Sequence, residues 1–434
     1  MRKTLLISFL VGMSLNMHAQ TSEPVITLTY TADGTEHTLS FGSAVAKENK
    51  VTIDWGDGKI VEGATLTGIY DDYNVQATDV TGTPTGTGVV KIYATEPLND
   101  FECTSNMNGT GVTSLDVSKA TELISLSANG NKLTTVDLSK NTKLTDVELN
   151  NNLLTTVVLP ASLIKLNLQN NQLTSFDGTA LTALTTLYLS NNPIATVDLS
   201  KNTALKSLYA LNCGLESIIL GNNTSEKTYI SLNNNKLTTL DVSGCTGLST
   251  GRLFVMNNNL SELKYTSIGT ANLSGNKFTL VSLPTDNIKT LTYAPQQAMS
   301  IEANYTGTVD LSSQASVGDN STTYTWYKKD GTALTAGTDY TEEAGKFTFT
   351  VAPSDSVYCV MSNASLPKFT GANAFKTTLT LISVPTAINT ISAKHKDVHS
   401  VYTLDGRRMQ GSLQEQPKGA YIVREAGKTV KVVK

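Results

Sequence analysis

The chain has 434 residues, 39 % of them hydrophobic and 16 % charged, with a formal net charge of −4. That length exceeds one ordinary domain, and the apolar fraction is enough for several buried cores. The slight acidity, with no basic run, argues against a partner held by charge alone, whether nucleic acid or an anionic membrane. Residues 1–19 come first: Arg2 and Lys3, an apolar run from Leu5 to Val11, and a small residue, Ala19, where a peptidase could cut. The run is short and no second one follows, so the pattern predicts a secretory signal peptide and no transmembrane segment. Its removal takes away two cations and leaves a net charge of −6.

Residues 20–97 alternate apolar and polar positions in Val25–Tyr30, Val51–Trp55 and Val89–Tyr93, separated by Gly, Asp and Thr clusters, which predicts a small β domain. Ile53-Asp54-Trp55-Gly56-Asp57-Gly58 is an Asp-Gly turn after a strand. It resembles the WGDG turn of polycystic-kidney-disease-type (PKD-like) β-sandwich modules. Asp54 and Asp57 supply two carboxylates where calcium needs six to eight oxygens, so no metal site is expected.

Residues 98–284 are repetitive. The pattern Leu-x-x-Leu-x-Leu-x-x-Asn-x-Leu recurs with its Asn slot at Asn131, Asn152, Asn171, Asn192, Cys213, Asn235, Asn258 and Asn276, at spacings of 18 to 23 residues. A period near twenty marks a solenoid whose coils bury their apolar rows only by stacking. The units resemble leucine-rich repeats of the short bacterial kind. Leu144, Val147, Leu149 and Leu154 are expected to point inward, and each Asn amide to bond backbone groups of its own and adjacent coils. Val136–Ser139, Val197–Ser200 and Leu240–Ser243 also alternate, which predicts a second short strand on the far side of the coil and no helix. Thr250 and Ala271 fill leucine slots, so the last coils are expected to fray or to carry a docked neighbour.

After Leu283-Pro284 the repeat stops. Residues 285–384, with Thr323–Tyr327, Phe347–Val351 and Val357–Val360, resemble an immunoglobulin-like β-sandwich with Trp326 as its buried aromatic, although the partner cysteine of antibody domains is missing. Residues 385–394 read as a linker. Residues 395–434 carry VYTLDGRRM, then KGAYIV, then KTVKVVK, and resemble the C-terminal sorting domain of type IX secretion cargo. That resemblance implies export across the outer membrane of a Gram-negative bacterium, contact with the type IX secretion machinery, and release or attachment at the surface. The overall expectation is a mainly β chain, its solenoid flanked by PKD-like and Ig-like sandwiches plus a small β sorting module.

The four cysteines, Cys103, Cys213, Cys245 and Cys359, have no short spacing and read as buried apolar residues; Cys213 with Cys245 is the one pair that an oxidising compartment could join. Catalysis is not expected. No histidine lies between His37 and His395, so the solenoid has no base to activate a serine or cysteine. His395 and His399 sit beside the linker and read as solvated. Asp146 and Glu148 share a strand face, but a glycosidase needs two carboxyls across a cleft, and an open sheet offers none. No cofactor or metal is expected.

Binding is expected on the concave strand ladder, at positions 3, 5 and 7 of the repeat. The first coils offer Ser125, Ser127 and Asn129, then Asp146, Glu148 and Asn150, then Lys165, Asn167 and Gln169. The next offer Thr186, Tyr188 and Ser190, then Ser207, Tyr209 and Leu211, then Tyr229, Ser231 and Asn233, then Arg252, Phe254 and Met256. Tyr188, Tyr209, Leu211, Tyr229, Arg252, Phe254 and Met256 therefore form the candidate ligand-binding set, because exposed aromatic clusters with arginine mark contact sites. Flat rings suit a protein pocket or a sugar face equally. The expected role is non-enzymatic, adhesin-like recognition of a host or environmental protein or glycan; a structural spacer or capture component of the envelope, and a carbohydrate-binding accessory, are the alternatives.

Overall fold

In the strand Ile26–Tyr30, Ile26, Leu28 and Tyr30 are buried while Thr27 and Thr29 turn outward, the period of two that the sequence carries. The computed structural model describes residues 23–384 and 400–433, leaving out 32–33, 46, 68–69, 72–73, 76, 106–110, 303–305, 351–352, 354, 405, 411–412 and 426–427. The expected signal peptide, the whole of the expected linker at residues 385–394, His395 and His399 lie outside the described residues. Two compact units divide the chain, one running to Gln297 and the other beginning at Ala298, with Gly371–Asn373 grouped with the first.

The first unit opens with an antiparallel sheet in the order Val112–Asp116, Ile26–Tyr30, Val89–Ala94, Asn49–Asp54, Ile60–Leu66. A second set, Thr78–Gly82 beside His37–Gly42, pairs antiparallel with Asp100–Glu102. From Asp100–Glu102 onward the strands run parallel, one per coil, to Ile288–Thr292, completing a twelve-stranded sheet. The N-terminal strands are thus hydrogen-bonded onto both sides of the stack. Ile26–Tyr30 extends the return side of the first coil and His37–Gly42 extends the long sheet, with Phe41 against Phe101, both fully buried, at 5.5 Å between ring centres. This covers the open end that a stacked solenoid must otherwise leave in water.

The Asp-Gly turn serves its own backbone. Asp54 Oδ1 accepts from the N–H groups of Gly56 (2.9 Å) and Gly58 (3.0 Å), and Asp57 Oδ1 accepts from Lys59 N–H (2.9 Å). Gly56 has φ +104°, and a Cβ there would lie 2.3 Å from the Thr85 carbonyl oxygen, so only glycine fits.

The expected return strands form, pairing in parallel as Thr135–Asp137 with Thr156–Val158, Thr196–Leu199 with Ser217–Leu220, and Thr239–Asp241 with Glu262–Lys264. Among the described residues there are 3₁₀ turns but no α-helix. The buried Asn slots form a ladder with one geometry. Asn192, for example, donates to the carbonyls of Leu168 (2.9 Å) and Leu189 (2.8 Å), one coil back and its own, and accepts from Leu173 N–H (3.0 Å). The preceding residue of most rungs, Asn151, Asn170, Asn191, Asn212, Asn234 or Asn257, sits at φ between 54° and 59°, the left-handed region that Asn tolerates.

Cys213 fits the ladder for a local reason. Its thiol still meets the Leu189 and Leu211 carbonyls at 3.4 Å, and the N–H that an asparagine oxygen would serve, that of Ile194, is satisfied instead by the Asn192 carbonyl at 2.8 Å. Cys245 belongs to a second ladder on the return side, beside Asn141, Asn202 and Asn223, and points its thiol at the Gly221 carbonyl (3.5 Å). The two thiols are therefore in separate rows; all four cysteines are free and buried. Burial pushes the Cys359 thiol up to about 12.

Two expectations about the end of the repeat are corrected. Where the last coils were expected to fray or to carry a docked neighbour, they keep their parallel strands, and the 3₁₀ turn Thr246–Ser249 buries Leu248 fully near the slot that Thr250 occupies. Gly247 and Gly251 let that turn lie against the previous coil: a Cβ would come within 1.8 Å of the Ser225 oxygen and 2.1 Å of the Thr228 oxygen. The stack also continues past residue 284. Ile288–Thr292 adds a further parallel strand, and Gln296 donates to the Leu273 and Tyr293 carbonyls as a rung without asparagine.

Carboxylates at the return-side bends are charge-stabilised by their own turns. The backbone N–H of Ser139 and Ser200 holds Asp137 and Asp198 below the usual carboxylate range, while the hydroxyls of Thr179 and Ser243 lead the same effect at Asp177 and Asp241. A depressed folded-state value stabilises above the unfolded value of about 3.9 and is lost as pH falls through the folded one. Melting temperature is expected to be flat from pH 7 to 5 and to fall below about pH 4. In a T179A/S243A variant, which removes the two hydroxyls that lead the effect, that acid-side drop should be smaller, as scanning calorimetry across pH would show.

Among the described residues the second unit holds three sheets, of which the first two are Thr308–Asp310, Lys346–Phe349, Tyr340–Glu343 and Ser316–Val317, Asn320–Lys328, Val357–Asn363, Phe375–Lys376. Trp326, fully buried, pairs in register with Cys359 and meets the rings of Phe347 and Phe349 edge-on at 5.4 and 5.1 Å. At the C-terminal end Ser400–Tyr402, Ala420–Glu425 and Lys428–Val433 form an antiparallel sheet around Val401, Tyr421 and Val423.

Candidate recognition surface

Strand alternation sends the leucines of each coil inward and leaves its neighbours on the outer face of the long sheet. In the strand Thr186–Tyr188, Leu187 is fully buried between half-buried Thr186 and Tyr188. Parallel pairing then repeats that choice one strand along: Tyr188 is in register with Tyr209, Tyr209 with Ser231, and Ser231 with Phe254. Tyr229 belongs to the neighbouring row, in register with Ser207 and Arg252.

The four rings nevertheless make one continuous ridge. Tyr188 and Tyr209 stack with centres 4.6 Å apart and planes 10° from parallel. Tyr209 and Tyr229 lie 4.9 Å apart at 30°, and Tyr229 meets Phe254 edge-on at 5.5 Å and 63°. For Tyr229 to touch both neighbours its ring must lean across the row over the short Ser231 side chain, which is only 2 % exposed. Burial among the other rings raises the Tyr209 phenol above its ordinary range, with the Tyr188 and Tyr229 phenols adding to the shift.

Arg252 is exposed at the end of the ridge, beside Tyr229 in register. Leu211 and Met256 are half-buried at the next outward position, two coils apart, with Asn233 between them. Three positions expected to face outward do not. Ser190 and Asn233 are buried because they serve the next coil, Ser190 Oγ accepting from Leu211 N–H (3.2 Å) and Asn233 Oδ1 from Met256 N–H (2.8 Å), and Ser231 lies beneath the ridge. Spacing alone assigns all seventh positions alike; only the neighbouring backbone turns these inward.

At the other end of the sheet the outward side chains are engaged with one another. Lys165 pairs with Asp146 at 3.3 Å, and Asn129 donates to Ser127 Oγ (3.0 Å) and Glu148 (3.4 Å). Asp146 and Glu148 therefore take part in polar contacts across coils on an open sheet. Sequence reasoning missed a further row along one edge: the amides of half-buried Asn170 and of exposed Asn191 and Asn212 donate to Asn151, Asn170 and Asn191 at 2.6, 2.5 and 2.9 Å, and Asn257 to Asn234 at 2.9 Å. The doubled Asn-Asn before most Asn-x-Leu motifs was its signal.

A family model for leucine-rich repeats in two copies matches residues 161–201. Curated proteins give no match. Nineteen solved chains match. One is the functional domain of InlJ from Listeria monocytogenes, which includes a cysteine ladder; it is 20 % identical, covers 66 % of this chain and 67 % of that one, and superposes with a TM-score of 0.41. The matched residues, 161–201, lie inside a β-solenoid of parallel strands that runs over residues 100–292, most of its coils closed by an inward amide and one by the Cys213 thiol.

Proposed function

We propose that this chain is an exported, non-enzymatic recognition protein that binds a protein or glycan ligand on the long sheet of its solenoid, around Tyr188, Tyr209, Tyr229 and Phe254. The observation that carries the reading is the ridge itself: four half-buried rings in a continuous chain of contacts on the outer face of the long sheet, while the leucines of their strands point inward. Large rings set beside an arginine supply most of the energy of binding surfaces. Export and surface attachment through residues 395–434 rest on the resemblance of that segment to type IX sorting domains, and its three-stranded antiparallel sheet around Val401, Tyr421 and Val423 is compatible with the small β module that the resemblance implies. No helix among the described residues is long and apolar enough to cross a membrane.

The test is capture of ligand from extracellular-matrix, serum and polysaccharide extracts by the full chain, compared with a Tyr188→Ala, Tyr209→Ala, Phe254→Ala variant shown to fold by circular dichroism. Material retained by the wild type alone supports recognition at the ridge. Truncating Tyr209 singly is expected to weaken binding by about 2 kcal/mol, roughly thirtyfold, whereas Ser127→Ala should leave it within about twofold. Equal retention by both proteins would favour the spacer reading, in which the rings only pack.

A further inference from the structure

The stacking direction of the ridge narrows the class of ligand. Rings 4.6 and 4.9 Å apart repeat at the strand spacing, so their planes stand on edge from the sheet and their faces cover one another. Tyr209 has a neighbour on each face. A sugar gains from an aromatic side chain by lying on its electron-rich face, and the interior of this ridge has no face to offer. It presents ring edges, which carry the positive side of the quadrupole, and phenol hydroxyls. Those of Tyr188, Tyr209 and Tyr229 make no hydrogen bond to another described residue.

Charge on the same sheet is segregated. All four carboxylates of the parallel strands, Asp100, Glu102, Asp146 and Glu148, fall in two strands at the N-terminal end. From Thr186–Tyr188 to Ile288–Thr292 the strands carry none, and their charged residues are Arg252 and Lys289. Arg252 is exposed and has no ion pair among the described residues, so its fork of donors is available beside the hydroxyl row. Half-buried Leu211 and Met256 give apolar contact along one side.

Resting on the recognition reading above, we infer that the ridge takes an acidic polypeptide segment, with carboxylates on Arg252 and the tyrosine hydroxyls and apolar side chains against Leu211 and Met256. Donors and positive ring edges select acceptor oxygens. A polypeptide supplies these together with the apolar groups, which an acidic polysaccharide lacks. At the N-terminal end, where Lys165 already pairs with Asp146, the carboxylate of Glu148 disfavours the same segment and helps set which way along the sheet it lies.

Calorimetric titration of the full chain with an alternating Glu-Leu dodecapeptide, its Lys-Leu counterpart, polygalacturonate and cellohexaose tests this. The Glu-Leu peptide should bind at least tenfold tighter than the other three, less tightly as salt is raised. Arg252→Gln should weaken it at least tenfold, and Tyr209→Phe, which keeps the stack and removes one hydroxyl, about threefold. Equal affinity for the Lys-Leu peptide, tighter binding of polygalacturonate, or no binding of the Glu-Leu peptide overturns the inference. Cellohexaose taken up in a Tyr209-dependent way also overturns it yet leaves recognition at the ridge standing. Failure of the recognition reading is separate: it shows as extract material held equally by the triple variant.

Discussion

Replacing Trp326 by alanine is expected to destabilise the second unit by about 3 to 5 kcal/mol, the range for emptying a buried large aromatic site. The side chain is fully buried, faces Cys359 across the strand pair, and makes edge contacts with Phe347 and Phe349 that no smaller residue can make together. The substitution removes the shared element of a cluster that also includes Tyr340, whose ring centre is 5.8 Å from both phenylalanines. Trp326→Phe should cost far less, about 1.5 kcal/mol or under, for two reasons. It keeps a ring in the site. It also deletes an indole N–H that is buried without a hydrogen-bond partner, so no polar interaction is lost. Native-state hydrogen exchange of the Val357–Asn363 amides measures both. Protection that falls equally in the two variants would show that the loss of polarity, and not of volume, governs the site.

Asn192→Ala should cost about 3 kcal/mol, and the argument lies in what each abandoned partner has left. Leu168 O still accepts from Asn171 (2.9 Å), and Leu189 O still meets the Cys213 thiol (3.4 Å), so each carbonyl loses one of two contacts. The N–H of Leu173, by contrast, donates to Asn192 Oδ1 alone and becomes a buried donor with no acceptor. One orphaned donor at about 1 to 3 kcal/mol and two weakened acceptors at about 0.5 to 1 each give the figure. Cys213→Ala, one rung on, should cost under about 1.5 kcal/mol, because Ile194 N–H is already served by the Asn192 carbonyl. Exchange at the Leu173 amide is the readout: a loss of protection no larger than that produced by Cys213→Ala would refute the account. In a one-dimensional stack, damage at a central coil also uncouples the coils on either side.

Much of this architecture is written in local sequence, because a solenoid repeats short-range rules. The Asn slots, inward leucines and return strands each follow from a period that one coil can specify by itself. The outward location of Tyr188, Tyr209, Tyr229 and Phe254 follows from the same alternation. Tertiary structure decided the rest, where backbone pairing overrides side-chain type. Asp100–Glu102 and Ile288–Thr292 join the sheet through ladder hydrogen bonds, the latter with Gln296 where the pattern expects asparagine. The strand His37–Gly42 extends that sheet by antiparallel pairing that no periodicity announces. Ser190, Ser231 and Asn233 were expected to face solvent and are buried, because an adjacent coil supplies the N–H or the ring that covers them. The ridge shows the division most clearly: residue type and spacing put four rings on one face, but only register and the 4.6 and 4.9 Å contacts close both faces of Tyr209 and turn its edge outward.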